Sequence, residues 1–276
     1  MADFGTTRAA FAARTGIASG LAAGGVALGA CTAAGAGIVA GTPGVGTGTF
    51  ALAELRVDQQ GADTDEYAEI VGAPFAPLAG WWLLAIGDGG TDPAGVVEMA
   101  IDLSPWSTGA NGRFVAHEST FGTGVLEGRT LAIDLLAAHA TVGAGDAMNL
   151  ENADTVTYLL VRGFTGSNGM DLDAGNDGTL DLAPWLEVGD AVAFVCAPGT
   201  DPCYATARVG PVATTGTGGM PAHAWKDAGG TWQAGAYASW SWDTPGRAPD
   251  VPAPGPASLL GAAAAVAHGY HRRRRE

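Results

Sequence analysis

Short apolar runs separated by turn residues make up most of the chain between residues 50 and 210. Phe50–Val57 (FALAELRV) alternates in part and carries no helix cap, and Glu66–Val71 (EYAEIV) is short and stops at Gly72. Trp81–Ile86 (WWLLAI) is continuously apolar between Gly80 and Gly87, the pattern of a strand buried on both faces. Val96–Leu103 alternates, and Arg113–Glu118, Thr155–Val161 and Ala191–Cys196 follow as further strands. Tyr204–Val209 is expected to return beside Ala191–Cys196 as the second arm of a hairpin. Leu131–Ala138 fits a short helix or a strand equally well. Many short strands joined by Gly, Pro and Asp predict an all-β sandwich or barrel. A body of roughly 200 residues can bury one core without a cofactor.

The two flanks differ from this body. Residues 16–41 are uncharged, rich in Ala and Gly, and follow Arg8 and Arg14, so residues 1–42 are expected to be a secretory signal. The run is also as long as a membrane span, which leaves a retained anchor as the alternative. Ala34-Gly35-Ala36 is one cleavage pattern, and Leu28-Gly29-Ala30-Cys31 resembles a lipobox with Cys31 as the lipidated residue. At the other end, Val251-Pro252-Ala253-Pro254-Gly255 precedes an apolar run, Ala257–Val266, and then Arg272, Arg273, Arg274 and Arg275. A proline motif, an apolar segment and an arginine cluster in that order resemble the PEP-CTERM sorting signal, with Ala253 where that family has Glu. The resemblance implies that residues 251–276 are held at the membrane and processed by an exosortase. Read without it, the tail is a weak anchor with a positive-inside stop. Both termini are thus expected to be short apolar helical segments, with signal peptidase and an exosortase-like enzyme as partners. The body is placed in the outer envelope, at the cell surface or outside the cell.

Charge narrows the function. The chain has 13 Lys+Arg against 28 Asp+Glu, a formal net charge of −15. Removing residues 1–42 and 252–276 leaves seven basic side chains against 26 acidic ones, with Lys226 the only lysine. Such a surface repels a phosphate backbone, so nucleic acid is excluded as a main partner. A hydrophobic content of 47% excludes a disordered chain, and the 44 glycines follow no three-residue period.

Candidate chemistry is sparse. Cys196 and Cys203 bracket a Pro198-Gly199 turn and are expected to form a disulfide, worth about 2.5 kcal/mol for so short a loop. The strongest ligand pattern is Asp171, Asp173, Asn176, Asp177, Thr179 and Asp181, which suits a structural Ca²⁺ wrapped in oxygen donors. The spacing resembles extracellular calcium loops and departs from the EF-hand at Gly175. Its alternative is a solvated acidic turn. Asp58, Asp63, Asp65 and Glu66 form a second acidic group, read as an exposed turn between the first two strands, and Glu69 is expected to pair within the sandwich, with Arg56 as partner. His117, His139 and His223 are scattered, no G-x-S-x-G elbow occurs, and Gly44, Gly46 and Gly48 lack the lysine of a phosphate loop. Trp225, Trp232, Trp240 and Trp242 either close the core or, if exposed, stack on sugar rings.

A second resemblance joins the two ends of the body. Leu55 with Glu66-Tyr67-Ala68-Glu69-Ile70, then Leu78-Ala79-Gly80-Trp81-Trp82-Leu83, resembles the opening of lamin-tail domains. Asp190-Ala191-Val192-Ala193-Phe194 is similar to the family's D-x-V-A strand, and Thr244-Pro245-Gly246 to its closing T-P-G. The resemblance implies an immunoglobulin-like β-sandwich over residues 51–247, enlarged by insertions between about 88 and 185, with no chemistry of its own. Together these readings predict a non-catalytic structural or binding module of the bacterial envelope or extracellular matrix, contacting polysaccharide or a surface protein. The rivals are a carbohydrate-binding module using the late tryptophans and an accessory domain of a secreted hydrolase or nuclease system.

Overall fold

The structure is a computed structural model that describes residues 50–59, 64–89, 93–122, 132–142, 148, 150, 153–196, 199, 201–212, 219–235 and 243–249. The signal and lipidation readings at residues 1–42, including Cys31, lie outside the described residues, as do Asp63, Trp240, Trp242 and the tail from Val251 to Arg275.

The described residues are all β, with no helix among them. One mixed sheet has six strands in the order β11 (Trp232–Gly235), β10 (His223–Lys226), β1 (Ala51–Arg56), β2 (Tyr67–Val71), β5 (Arg113–His117), β6 (Ala138–Thr141). The other has five, in the order β4 (Val97–Asp102), β3 (Trp81–Gly87), β7 (Val156–Arg162), β8 (Glu187–Phe194), β9 (Arg208–Val209). Each is antiparallel except at one edge, where β5–β6 and β8–β9 run parallel.

One hydrophobic cluster draws on both sheets. Leu52, Leu55, Ala68, Ile70 and Phe114 come from the six-stranded sheet; Leu83, Ala85, Met99, Ile101, Tyr158, Leu160, Val192 and Phe194 come from the five-stranded one. The other face of the five-stranded sheet is also covered. Leu84, Ile86, Val97, Leu159, Val161, Ala191 and Ala193 pack there against Phe164, Leu172, Tyr204 and Ala205 from the loops. Burial on both faces explains why β3 and β7 carry unbroken apolar runs.

Two local expectations are corrected. Tyr204–Val209 is not a hairpin arm. Its only strand, β9, is parallel to β8, and parallel neighbours need a crossover connection that a tight turn cannot supply. Cys196 and Cys203, at the start of that connection, are both half-buried. Of the Leu131–Ala138 segment, the described residues 132–138 form neither a helix nor a strand of their own: they contribute only Ala138 to β6, and Leu135 and Leu136 sit exposed on a turn.

Candidate functional site

A β-bulge decides where the charged residues of β1 go. The register between β1 and β2 shifts between Leu52 and Glu54, so Leu52 and Leu55 both reach the core although three positions apart. Glu54 and Arg56 are thereby turned to the opposite face of the six-stranded sheet. Glu54 stands across from Glu69 of β2 on one side and Trp225 of β10 on the other; Arg56 stands between Tyr67 and His223.

This face is not a solvated one. Residues 243–246 cross it, and Glu54, Arg56, Tyr67, Glu69 and His223 are all fully buried. Thr244 donates to both carboxylate oxygens of Glu54, from its backbone N–H to Oε1 (2.8 Å) and from its hydroxyl to Oε2 (2.7 Å). The Gly246 N–H donates to Glu69 Oε2 at 2.5 Å. The Asp243 carboxylate lies 2.7 Å from Arg56 Nη1 through Oδ2 and 3.3 Å from His223 Nε2 through Oδ1. The crossing segment is fixed from outside by Asn111 Nδ2 donating to Gly246 O (2.6 Å) and by Asp134 N–H donating to Pro245 O (3.0 Å).

The charges are desolvated, so their partners decide their state. Burial pushes the Glu54 carboxyl up, but the hydrogen bond and charge of His223, with donation from Tyr67 and Thr244, outweigh it and hold Glu54 below its ordinary value. Its neighbour behaves oppositely. Burial drives Glu69 up to about 8, and the adjacent Glu54 charge adds to this, against the pull of Arg113 and of the Gly246 N–H. Burial and the charges of Glu54 and Asp243 hold the Tyr67 phenol well above its usual range. Asp65, close enough to feel Arg56 and Asp243, is also raised by burial, against donation from Gly122 N–H (3.1 Å) and the Arg56 charge.

Several expected site residues change role. Glu69 pairs with Arg113 of β5, not Arg56, which Asp243 claims. Glu69 is flanked diagonally by both arginines, and the crossing segment delivers the carboxylate of Asp243 to Arg56. The 58–66 acidic group is not an exposed turn where it is described: Asp58, Asp65 and Glu66 are at most 4% exposed. Glu66 Oε2 accepts the Leu150 N–H, and the Glu66 N–H donates to Glu118 Oε1.

The acidic loop is organised by its own backbone. Asp173 is fully buried and accepts from Asp177 N–H (3.1 Å), Gly178 N–H (2.8 Å) and the Tyr204 hydroxyl (2.9 Å). Asp171 accepts from Asp173 N–H, Asp177 from Thr179 N–H and Asp181 from Gly175 N–H. Asn176 takes the left-handed conformation (φ 49°) at the tip. Elsewhere among the described residues, Glu54, His223 and Asp243 bring one ligand atom each within 4.8 Å of one another.

Of the late tryptophans, Trp225 is buried and stacked on His223 at 4.9 Å, and Trp232 packs against the core with Lys226 Nζ 5.0 Å above its ring. His117 and His139, distant in sequence, meet at 3.2 Å across β5–β6. Sequence reading passed over Arg56–Asp243 and Glu54–Thr244. Their only local signal is a charged pair on alternate positions of an otherwise apolar strand. No family model, curated protein or solved structure matches this chain.

Proposed function

We propose that this chain is an exported, non-catalytic β-sandwich of the immunoglobulin-like, lamin-tail kind, serving as a structural or binding module of the bacterial envelope or extracellular matrix. Its ends are processed by signal peptidase and an exosortase-like enzyme, Cys196 and Cys203 are oxidised to a disulfide in that compartment, and Ca²⁺ stabilises the 171–181 loop. One observation carries the reading. The carboxylates that catalysis could use on the six-stranded sheet are buried and committed to holding the chain together, Glu54 by Thr244 and Glu69 by Gly246. These contacts join β1 and β2 to the Thr244-Pro245-Gly246 segment, the two ends of the lamin-tail resemblance, across the same sheet. A domain whose polar groups close its own fold offers its surface to partners, and the acidic surface suits a neutral polysaccharide or a basic surface protein.

Mass spectrometry of the protein recovered from its native host tests the core of this proposal. Cleavage near residues 34–42, loss of the arginine tail and a Cys196–Cys203 linkage are expected. An intact chain with reduced thiols recovered from the cytosol refutes it. For the loop, melting curves with and without chelator separate a calcium-held turn from a self-sufficient one, since an unmoved midpoint removes the ion.

A further inference from the structure

We infer that Glu54, His223 and Asp243 form a structural binding site for a divalent transition-metal ion of the zinc class, which ties the 243–247 segment to the six-stranded sheet. The donor set comes first. His223 Nε2 lies 2.9 Å from Glu54 Oε1 and 3.3 Å from Asp243 Oδ1, and all three ligand atoms fall within 4.8 Å of one another. Ligands bound at about 2.0–2.2 Å to one tetrahedral ion stand roughly 3.3–3.5 Å apart, close to these separations. One imidazole with two carboxylates suits zinc-class ions better than calcium, which takes six to eight oxygens.

Two independent observations point to a cation. The first is an orphan acceptor: Asp243, 4% exposed, has no hydrogen bond to Oδ1 among the described residues, and that atom faces His223 Nε2. Asp65, 1% exposed and near enough to feel Asp243, likewise has no hydrogen bond to Oδ2. The second is the charge balance. Glu54, Asp65 and Asp243 are buried around one guanidinium, that of Arg56. Three carboxylates outnumber the Arg56 guanidinium and the single charge that His223 can carry, and a divalent ion in place of any His223 Nε2 proton balances them.

Neighbouring groups hold both carboxylates in place. Arg56 holds Asp243 by Oδ2 and leaves Oδ1 for the metal. The Thr244 hydroxyl holds Glu54 by Oε2, while Tyr67 and the Thr244 N–H steady Oε1. For Asp243 the orienting contact falls on the oxygen that does not face His223, whereas Glu54 Oε1 would share its hydrogen-bond donors with the ion. On binding, the metal takes the Nε2 lone pair of His223, any proton there is released to solvent, and the imidazole keeps its proton on Nδ1. Two ligands come from strands β1 and β10 and the third from the crossing segment, so the ion joins positions nearly 190 residues apart.

The test uses the full chain. Refolded with Zn²⁺ or Co²⁺ and dialysed, wild type is expected to retain about one equivalent of metal per chain. The cobalt form should show the visible absorption of a tetrahedral ion, and the thermal midpoint should rise by at least about 5 °C with Zn²⁺ and not with Ca²⁺. His223→Gln and Asp243→Asn should each lose the metal and the zinc-dependent rise. The metal content of wild type stands as the primary readout, whether or not the variants fold. Less than roughly a tenth of an equivalent in wild type, with a zinc-insensitive midpoint, overturns the inference. So does stoichiometric metal retained at full affinity by folded His223→Gln.

Discussion

Replacing Glu69 with Gln should flatten part of the protein's pH–stability profile, and the sign follows from the side chain's surroundings. Glu69 sits opposite Glu54 in the β1–β2 ladder, fully buried, with Arg113 and the Gly246 N–H as partners. Its folded-state value, about 8, lies above its ordinary 4.5, so between those limits the folded protein holds a proton that the unfolded chain has lost. Stability therefore falls as pH rises through this window, by up to about 1.36 kcal/mol per unit and on the order of 5 kcal/mol in all. Glu54 contributes with the opposite sign: its lowered value gives stability that is present above the ordinary carboxylate range and lost on acidification. His117, lowered by burial, adds stability that appears as pH rises toward its ordinary 6.5. Comparing wild type with Glu69→Gln cancels both of these terms. Gln keeps an acceptor for Gly246 N–H and cannot ionise. Urea unfolding followed by tryptophan fluorescence at pH 5, 6, 7 and 8 should show the variant gaining on wild type at each step. Parallel profiles for the two proteins would mean that Glu69 is ionised against Arg113 throughout, and the reasoning from burial would be wrong.

Three further outcomes follow from the same contacts. Asp173→Ala removes the acceptor for two backbone N–H groups and the buried Tyr204 hydroxyl and should cost about 2–4 kcal/mol in urea titrations, against about 1–2 for Tyr204→Phe; a loss below about 0.5 for Asp173→Ala would show that the loop holds without it. Arg56→Met strands Asp243 in the interior and should cost about 3–5 kcal/mol, much of it recovered in the double variant with Asp243→Asn; equal losses in the single and double variants would exclude coupling of the pair. Gly95→Ala forces a side chain into positive φ (+84°) and against Asp173, and should lower the thermal midpoint by several degrees, with an unchanged midpoint counting against the close approach.

The strands that bury whole faces were legible in the sequence. The WWLLAI run of β3, the alternation of β4 and the TVTYLLV run of β7 all read correctly within a residue or two, because apolar periodicity reports burial directly. β10 and β11 were passed over. Each is four residues long, too short for periodicity to register, and their tryptophans invited a reading as ligands. β9 was legible as an extended segment but not in its direction, since nothing local separates a parallel return from a hairpin. The buried network was the least accessible. Glu54, Arg56 and Glu69 occupy outward positions of their strands, which in most antiparallel sheets meet water. Only the placement of Asp243, Thr244 and Gly246 across them, about 180–190 positions later, turns that face inward. The acidic loop was located correctly as a loop, while its tight closure by Asp173 on Tyr204 depends on a partner thirty-one residues away.

The crossing segment also sets an order of events. As the polypeptide emerges from its N-terminal side during synthesis, β1 and β2 arrive early with Glu54, Arg56, Tyr67 and Glu69 still bathed in water, where their charges are harmless. The lid that dehydrates them arrives last among the described residues. The sheet can therefore assemble its apolar side at once, but it is sealed on the charged side only when residues 243–246 have emerged, which delays commitment to the finished form until then.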